Sequence, residues 1–206
     1  MLPTIHSIKG AGVNHALRAM FAARKQVFVD GLGWDIPVLA GKYEIDQFDT
    51  EGASYLVLTD EDGNHRASAR LLPTDSPHIL ADLFPQLSPQ PIPVGSTIRE
   101  ITRFCIDPSL EKTERRLARN QLVTALVEHA LERGIAAYTA VATNSWFRQI
   151  SRFGWKCSAL GPCLTLGGEA LVAMKIEIDR DTPGALSPKG IYCSTSYDVA
   201  MFEGAA

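Results

Sequence analysis

The stretch Thr97-Ile98-Arg99-Glu100-Ile101-Thr102-Arg103-Phe104-Cys105-Ile106 decides how the rest of the chain is interpreted. Its isoleucines, threonines and phenylalanine favour an extended strand, which Asp107-Pro108 ends. Because strand side chains alternate between faces, Glu100 and Arg103 would point in opposite directions on a regular strand. They can converge only where a bulge or splay interrupts the strand, a device often found beside active sites. The alternative is an edge strand whose charges are solvated.

The composition is that of an ordinary globular protein. With 206 residues, of which 46% are hydrophobic and 21% charged, the chain is long enough for a substantial core. We therefore predict a single domain over residues 1–180 and a loose polar tail over residues 181–206. A net charge of −3 argues against general nucleic-acid binding.

The sequence shows no targeting or membrane signal. Met1-Leu2-Pro3-Thr4 lacks the basic and apolar regions of a signal peptide, and no apolar run approaches the roughly 20 residues needed to cross a bilayer. The four cysteines form no C-x-x-C pair and are predicted to be reduced core thiols. We therefore expect a cytoplasmic protein that contacts neither membrane nor nucleic acid.

Periodicity and turn residues predict a mixed α/β chain. A proline-rich loop covers residues 75–96, and the strand that follows it should have a helix and then a parallel neighbour after it. The fold class is therefore a mixed sheet with helices on both faces. The predicted helices cover residues 13–28, 113–133 and 144–153, and the predicted strands cover residues 54–58, 66–73, 97–106, 136–142, 155–166 and 169–178.

Several charged residues occupy positions where a core would favour apolar ones. Arg24 falls on the apolar stripe of the first helix, and Arg70 lies deep in a strand beside Leu71. An arginine that faces a core needs an anion nearby. Asp46 and Asp49 are candidate partners, so the charges can form either a structural ion network or a site for a zwitterionic ligand. Arginines would bind such a ligand's carboxylate, acids its cationic groups, and aromatic residues its flat parts.

Other kinds of site are not indicated. The chain has no Gly-rich phosphate loop, no H-E-x-x-H and no G-x-S-x-G, and its five histidines lack metal-ligand spacing. We therefore predict no metal site. Arg115, Arg116 and Arg119 near the start of the long helix indicate either an anion contact or a solvated face.

A set of motifs occurs in order along the chain: Arg24-x-x-x-Phe28, Trp34, Glu44-x-Asp46-x-Phe48-Asp49, Arg70-Leu71-Leu72-Pro73-Thr74, Phe84-Pro85 and Glu100-x-x-Arg103-Phe104. Their order and spacing resemble those of the acyl-homoserine-lactone synthases, the autoinducer synthases of bacterial quorum sensing. The resemblance covers roughly residues 20–180 and is most specific from 24 to 104.

The resemblance implies an acetyltransferase-like fold, a three-layer αβα sandwich whose central sheet is mixed and splayed. It also implies two substrates, S-adenosylmethionine and an acyl thioester on acyl carrier protein or coenzyme A. The amine of S-adenosylmethionine would attack the thioester, and its carboxylate would then displace the sulfonium group to close a lactone and release methylthioadenosine. No cofactor is implied, and we expect a monomer.

The resemblance also assigns roles to residues. Glu100 would be the base, and Arg103 would organise the carboxylate or the acids. Thr143 would influence the choice among acyl oxidation states, and N–H groups near Thr102–Phe104 would polarise the acyl carbonyl. The implied sets are Arg24, Phe28, Trp34, Asp46, Asp49 and Arg70 for S-adenosylmethionine; Ser68, Thr102, Phe104 and Thr143 for the acyl group; and Arg148, Arg152 and Lys156 for docking of the acidic carrier protein.

Two alternatives share parts of this pattern. An N-acetyltransferase that uses acetyl-coenzyme A would have the same fold, but it should carry a glycine-containing phosphate loop before the long helix. Residues 114–120 match such a loop poorly. A non-catalytic amino-acid or S-adenosylmethionine sensor would need the charged clamp, but neither Glu100 nor an acyl site.

Overall fold

The computed structural model of the chain describes residues 11–193 and 197–203, which form two compact units. The first unit contains the chain up to Arg70, Arg103–Ala125 and the chain from Cys193; the second contains Leu71–Thr102 and Leu126–Tyr192. The chain therefore passes from one unit to the other four times: inside two strands, inside one helix, and between Tyr192 and Cys193. The single domain predicted over residues 1–180 stays a prediction.

The main helices and strands follow the predicted order, and several short elements are added. The helices are α1 (Ala11–Arg24), α2 (Ile79–Asp82), α3 (Lys112–Arg133), α4 (Asn144–Ile150) and α5 (Thr182–Leu186), with a π-helix over Lys25–Gly31 and 3-10 turns over Pro85–Leu87 and Ser187–Lys189. The strands are β1 (Val38–Leu39), β2 (Tyr43–Glu44), β3 (Ser54–Thr59), β4 (His65–Pro73), β5 (Ile98–Ile106), β6 (Ala137–Thr143), β7 (Lys156–Ala159), β8 (Leu164–Leu166), β9 (Glu169–Glu177) and β10 (Asp198–Glu203).

In the first unit, α1 packs against β2 and β3. Its buried face carries Leu17, Met20 and Phe21, as the helical spacing predicts. The strand order is β10–β3–β4. The turn between β3 and β4 is stabilised by Asp60, whose carboxylate accepts the backbone N–H groups of residues 62 and 64. Gly63 supplies the positive φ of 80° that this turn requires.

The second unit contains a mixed set of strands, as predicted. Their order is β5–β6–β9–β7, and β8 also pairs with β9. β5 and β6 are parallel, while β6, β7 and β8 all run antiparallel to β9. α3 ends at Arg133 and is followed by Gly134, whose positive φ of 68° is the left-handed conformation that glycine adopts most easily after a helix.

β5 and β6 separate soon after they begin to pair. Among the described residues, their parallel register joins Ile98 to Ala137, Arg99 to Tyr138 and Glu100 to Thr139, although both strands continue further. The strands therefore splay immediately after Glu100, which agrees with the expectation of a splayed sheet.

The prediction of a loose tail from residue 181 is wrong for the described residues. Thr182–Leu186 forms α5, and Asp198–Glu203 forms β10, which pairs antiparallel with β3 along its whole length. The central four residues of β10 are buried. The polar composition of the segment hid this short apolar run, and the run is stable because it supplies the hydrogen bonds that the edge of β3 would otherwise lack.

Two further predictions need correction. The loop over residues 75–96 contains α2 and a 3-10 turn. The strand predicted over residues 155–166 is interrupted between β7 and β8. Gly161 lies in this interruption, where a Cβ atom would come within 2.4 Å of the carbonyl oxygen of Leu87. Only glycine allows so close a backbone approach.

All four cysteines are free thiols, but Cys163 is exposed, so the prediction of core thiols is wrong for that residue. Cys105 is buried, and burial raises the pKa of its thiol to about 12. No helix in the described part of the chain has the length and apolar character needed to cross a membrane.

Replacing Thr139 with valine should raise the free energy of unfolding by about 1 kcal/mol. The Thr139 hydroxyl is buried in β6 without a hydrogen-bond partner among the described residues. Valine has nearly the same side-chain shape as threonine but carries no hydroxyl. The matched control is Thr74→Val. The hydroxyl of Thr74 is hydrogen-bonded to Gly95 and Ile98, so its removal should lower the free energy of unfolding. Urea denaturation measures both changes, and an equal loss in the two variants would contradict the expectation.

Candidate functional site

The break in β5 that the sequence indicates lies at Arg103. Its φ of 50° is left-handed, a conformation that costs a residue other than glycine about 1–2 kcal/mol. Glu100, Ile101 and Thr102 are buried in succession, and Arg103 and Phe104 are then half-buried, so the alternation of faces is lost. The chain holds Arg103 in this conformation because its guanidinium takes part in a set of ion pairs.

Arg24, at the end of α1, binds two carboxylates. Its Nε atom donates to Glu44 Oε2 at 2.5 Å, and its two terminal nitrogens donate to the two oxygens of Asp49, each at 2.8 Å. Arg24 is 1% exposed, and its guanidinium also lies 5.0 Å from the centroid of the Phe21 ring. Arg24 lies on an apolar stripe and therefore needs an anion nearby. The carboxylates of Glu44 and Asp49 supply this negative charge from within the chain.

Arg70 and Arg103 extend this arrangement. Arg70 donates to both oxygens of Asp46, at 2.6 and 3.0 Å, and also approaches Asp49 at 2.8 Å. Arg103 donates to Glu44 at 3.1–3.3 Å and to Asp46 at 2.6 Å. Three arginines thus bind three carboxylates, and the formal charges cancel. We call this set the ion network: Arg24, Glu44, Asp46, Asp49, Arg70 and Arg103.

Two aromatic rings lie at the Arg103 end of the ion network. Phe28 and Trp34 stack with their ring centroids 4.8 Å apart. The Arg103 guanidinium carbon lies 5.5 Å from the centroid of each ring, within the distance of a cation–π interaction. Phe28 is buried, but Trp34 is 41% exposed. This end of the ion network is therefore open to solvent.

The ion network keeps its carboxylates charged. Burial by itself would raise the pKa of Asp49, but hydrogen bonds and charges from Arg24 and Arg70 outweigh burial and hold that pKa well below its ordinary value. The pKa of Asp46 is lowered in the same way by Arg70 and Arg103. These ion pairs therefore stabilise the folded protein at pH values above the ordinary carboxyl pKa. The stabilisation is lost as the pH falls through the lower pKa values that the two carboxyl groups have in the folded state.

Sequence reasoning assigned no role to two residues of this site. Glu44 binds both Arg24 and Arg103, and its place two residues before Asp46 could have indicated it, since both side chains would share a strand face. Tyr55 donates its hydroxyl to Asp49 at 2.9 Å. Burial, followed by the Asp49 charge, raises the pKa of this phenol. No local signal distinguishes Tyr55 from the apolar residues around it in β3.

Glu100 belongs to the second unit. It is 0% exposed, and its Oε2 and Oε1 atoms accept the backbone N–H groups of Ile79 and Leu80 at 2.7 and 2.8 Å. The described contacts therefore place its carboxylate at the N-terminus of α2. Its predicted role as a base stays a prediction.

The four residues predicted to bind the acyl group are divided between the units. Ser68 and Phe104 lie in the first unit, and Thr102 and Thr143 lie in the second. Ser68 is buried and hydrogen-bonds His65 Nε2 at 2.8 Å. Thr143 is half-buried and caps α4, because its hydroxyl accepts the Trp146 N–H. None of these contacts assigns an acyl role.

The second unit also contains an apolar cluster, which sequence reasoning did not single out. Leu80, Leu87 and Ala173 form its buried centre. Half-buried apolar residues surround this centre, and they come from the segment after α2, from β6 and from residues 160–171. These residues are Phe84, Ile92, Val141, Leu160, Leu164, Leu166 and Leu171.

The basic residues predicted to dock a carrier protein lie on one surface segment of the second unit. Arg148, near the end of α4, and Arg152, which follows it, are exposed. Lys156 is exposed but pairs with Asp179 at 2.6 Å, so it is less available to a partner. Across residues 11–193 and 197–203, no group of three or more His, Cys, Asp and Glu side chains is arranged to hold a metal ion.

Replacing Arg24 with glutamine should lower the free energy of unfolding by about 3–5 kcal/mol, because Glu44 and Asp49 would stay buried without this partner. The adjacent Lys25→Gln is a matched control. Lys25 pairs with Asp30 at the surface, and losing an exposed pair costs about 1 kcal/mol or less. Chemical denaturation at neutral pH compares the two variants, and equal losses would show that the Arg24 pairs contribute no more than a surface pair.

The chain is similar throughout to proteins of one family. The autoinducer synthase family model matches residues 12–186. The acyl-homoserine-lactone synthase of Ralstonia nicotianae is 33% identical over 172 residues, which cover 81% of this chain and 84% of the relative. The synthase of Agrobacterium fabrum is 30% identical over 195 residues, 92% of each chain.

A solved structure agrees with this similarity. The crystal structure of TofI in a ternary complex with an inhibitor and MTA superposes with a TM-score of 0.73 at 30% identity, and the match covers 91% of this chain and 97% of TofI. The predicted fold class, an acetyltransferase-like α/β fold with a mixed sheet, is confirmed. From the family match and these relatives, we conclude that the chain belongs to the autoinducer synthase family.

Proposed function

We propose that this acyltransferase uses its ion network to hold S-adenosylmethionine while it makes an acyl-homoserine lactone. In the first step the amine of S-adenosylmethionine attacks the thioester carbonyl, an amide forms, and the thiol leaves with the amine's proton. In the second step the carboxylate oxygen attacks the γ-carbon of the methionine part, which is bonded to the sulfonium sulfur. The bond between that carbon and the sulfur breaks. The products are the lactone and methylthioadenosine.

The open end of the ion network is the single observation that carries this proposal. S-adenosylmethionine has a carboxylate, an ammonium group and a sulfonium. Arg103 Nη1 makes no hydrogen bond within the described part of the chain, so it can donate to the substrate carboxylate. Asp46 is the adjacent acid, and Trp34, which is 41% exposed, is available to the sulfonium or the adenine.

The buried members of the ion network support this end. Arg24, Asp49 and Arg70 bind one another and the remaining acids. We propose that they contribute to S-adenosylmethionine binding by fixing Asp46 and Arg103, because a direct ligand contact would require these buried ion pairs to open. Phe28 fixes Trp34 in the same indirect way, through their stacked rings.

Glu100 remains our proposed base for the amine. The α-amine has an ordinary pKa of about 7.7–8.0, so the proton transfer is mild and requires no strongly perturbed acid. The carboxylate is fixed by two backbone N–H groups. The proposed reaction requires no metal and no cofactor.

The apolar cluster of the second unit is the proposed site for the acyl chain. Its half-buried residues leave apolar surface incompletely covered, and an alkyl chain gains about 0.8 kcal/mol for each CH₂ that it buries there. Ser68, Thr102, Phe104 and Thr143 keep their proposed acyl contacts. We further propose a cytoplasmic monomer that accepts its acyl group from acidic carrier protein through Arg148 and Arg152, or from coenzyme A.

Replacing Trp34 with alanine should raise KM for S-adenosylmethionine roughly five- to thirtyfold, which is the increase expected when one cation–π contact is lost. KM for the acyl donor should change little. Leu32→Ala is the matched control, because Leu32 is a nearby exposed apolar residue. Release of methylthioadenosine from purified protein measures each constant. If no acyl thioester in a broad panel supported release, the proposed function itself would be rejected.

Reversing the charges of Arg148 and Arg152 to glutamate should raise KM for an acyl-carrier-protein substrate about tenfold or more, because paired charges would become repulsive. KM for the corresponding coenzyme A thioester should not change. The control variant Arg18→Glu/Lys42→Glu removes equal charge from exposed positions of the first unit. The docking proposal fails if KM rises equally for the two donors, or equally in the two variants.

A further inference from the structure

Helix α2 is a single turn that lacks a cap of its own. Its N-cap residue, His78, makes no capping hydrogen bond with its side chain. The first N–H groups of a helix have no partner within the helix and must find one elsewhere. For Ile79 and Leu80 that partner is the Glu100 carboxylate, which comes from about twenty residues further along the chain.

Glu100 is itself rigidly held. It stands on β5 opposite Thr139 of β6, at the last paired position before these strands separate. Its side chain is fully buried, so it cannot exchange the two N–H donors for solvent. The first two N–H groups of α2 hold both carboxylate oxygens of Glu100, and these oxygens in turn hold the first turn of α2 in place.

The turn that Glu100 holds carries a side chain of the apolar cluster. Leu80 is fully buried against Leu87 and Ala173. α2 also contacts β6, whose Val141 lies at the margin of the same cluster. A shift of the Leu80 backbone would therefore move one wall of the proposed acyl site.

From this geometry we infer that Glu100 is a positioning residue for the acyl group, because its carboxylate sets the place of α2 and of Leu80. The inference rests on the proposed acyl role of the apolar cluster. It adds to Glu100 a function that acts through α2 and that determines which acyl chains fit. This function does not depend on proton transfer.

The substitution Glu100→Gln, which keeps the shape of the side chain, cannot separate the role of a base from the role of a positioning residue. A glutamine amide has one acceptor oxygen and one NH₂ donor. One of the two backbone N–H groups would therefore face another donor and lose its hydrogen bond. The variant removes the proposed base and loosens α2 at the same time.

Ile79→Pro separates the roles, because proline lacks the N–H that Glu100 Oε2 accepts while the carboxylate itself is unchanged. Proline is well tolerated at the first position of a helix. His78 has φ −148° and ψ 161°, the extended conformation that a residue before proline adopts. Ile79→Val is the matched control, since it keeps the N–H and has a side chain close to proline in size.

The test compares KM for saturated acyl thioesters of increasing chain length, together with the pH dependence of kcat. We expect Ile79→Pro and Glu100→Gln to raise KM for the acyl donor that the native enzyme prefers roughly fivefold or more and to change the order of preference. Ile79→Val should keep the native order. KM for S-adenosylmethionine and the pH profile should be native in Ile79→Pro.

A native order of preference in Ile79→Pro, with thermal unfolding showing a folded protein, would overturn the inference and leave Glu100 with its proposed role as a base alone. The proposed acyl site is tested separately by Leu80→Ala and Leu164→Ala. If neither variant changed the preference among chain lengths, the acyl site would lie elsewhere, and the inference would fall with it.

Discussion

The first unit depends on the neutralisation of buried arginines. Arg24 and Arg70 are fully buried, and a buried guanidinium is tolerated only where carboxylates surround it. Glu44, Asp46 and Asp49 meet this requirement together. Because these acids lie in one short segment, the same ion pairs that neutralise the arginines also attach that segment to α1 and β4.

The same constraint produces the site. Arg103 shares its acids with Arg24 and Arg70, and its backbone adopts a left-handed conformation within β5. The cost of that conformation is offset by ion pairs that a regular strand would not allow. The result is one partly exposed guanidinium beside stacked aromatic rings. The network that holds it has four buried members, which are Arg24, Glu44, Asp49 and Arg70. We propose that this pre-formed charge binds the zwitterionic substrate, because a charge that is already held in place need not be ordered on binding.

Much of this could be predicted from the sequence, because the signals are local. Helical spacing placed Arg24 on a buried face, strand alternation placed Glu100 and Arg103 on opposite faces of a regular strand, and the strands predicted over residues 54–58 and 66–73 left the β3–β4 connection between them. The resemblance of motifs spread from Arg24 to Phe104 indicated the family and the reaction. A short apolar run such as β10 was hidden, because it is stable only when β3 offers an edge for it to pair with.

By itself the sequence determined which residues are out of place in a core, since burial and periodicity depend on neighbours only a few positions away. Tertiary structure alone decided their partners. Arg24 binds Asp49 across 25 positions, Arg103 binds Glu44 across 59, and Glu100 binds the N–H group of Ile79 across 21. The physical reason is that a buried charge accepts any donor or ion that neutralises it, and which one comes within about 3 Å is set by the folded path of the chain.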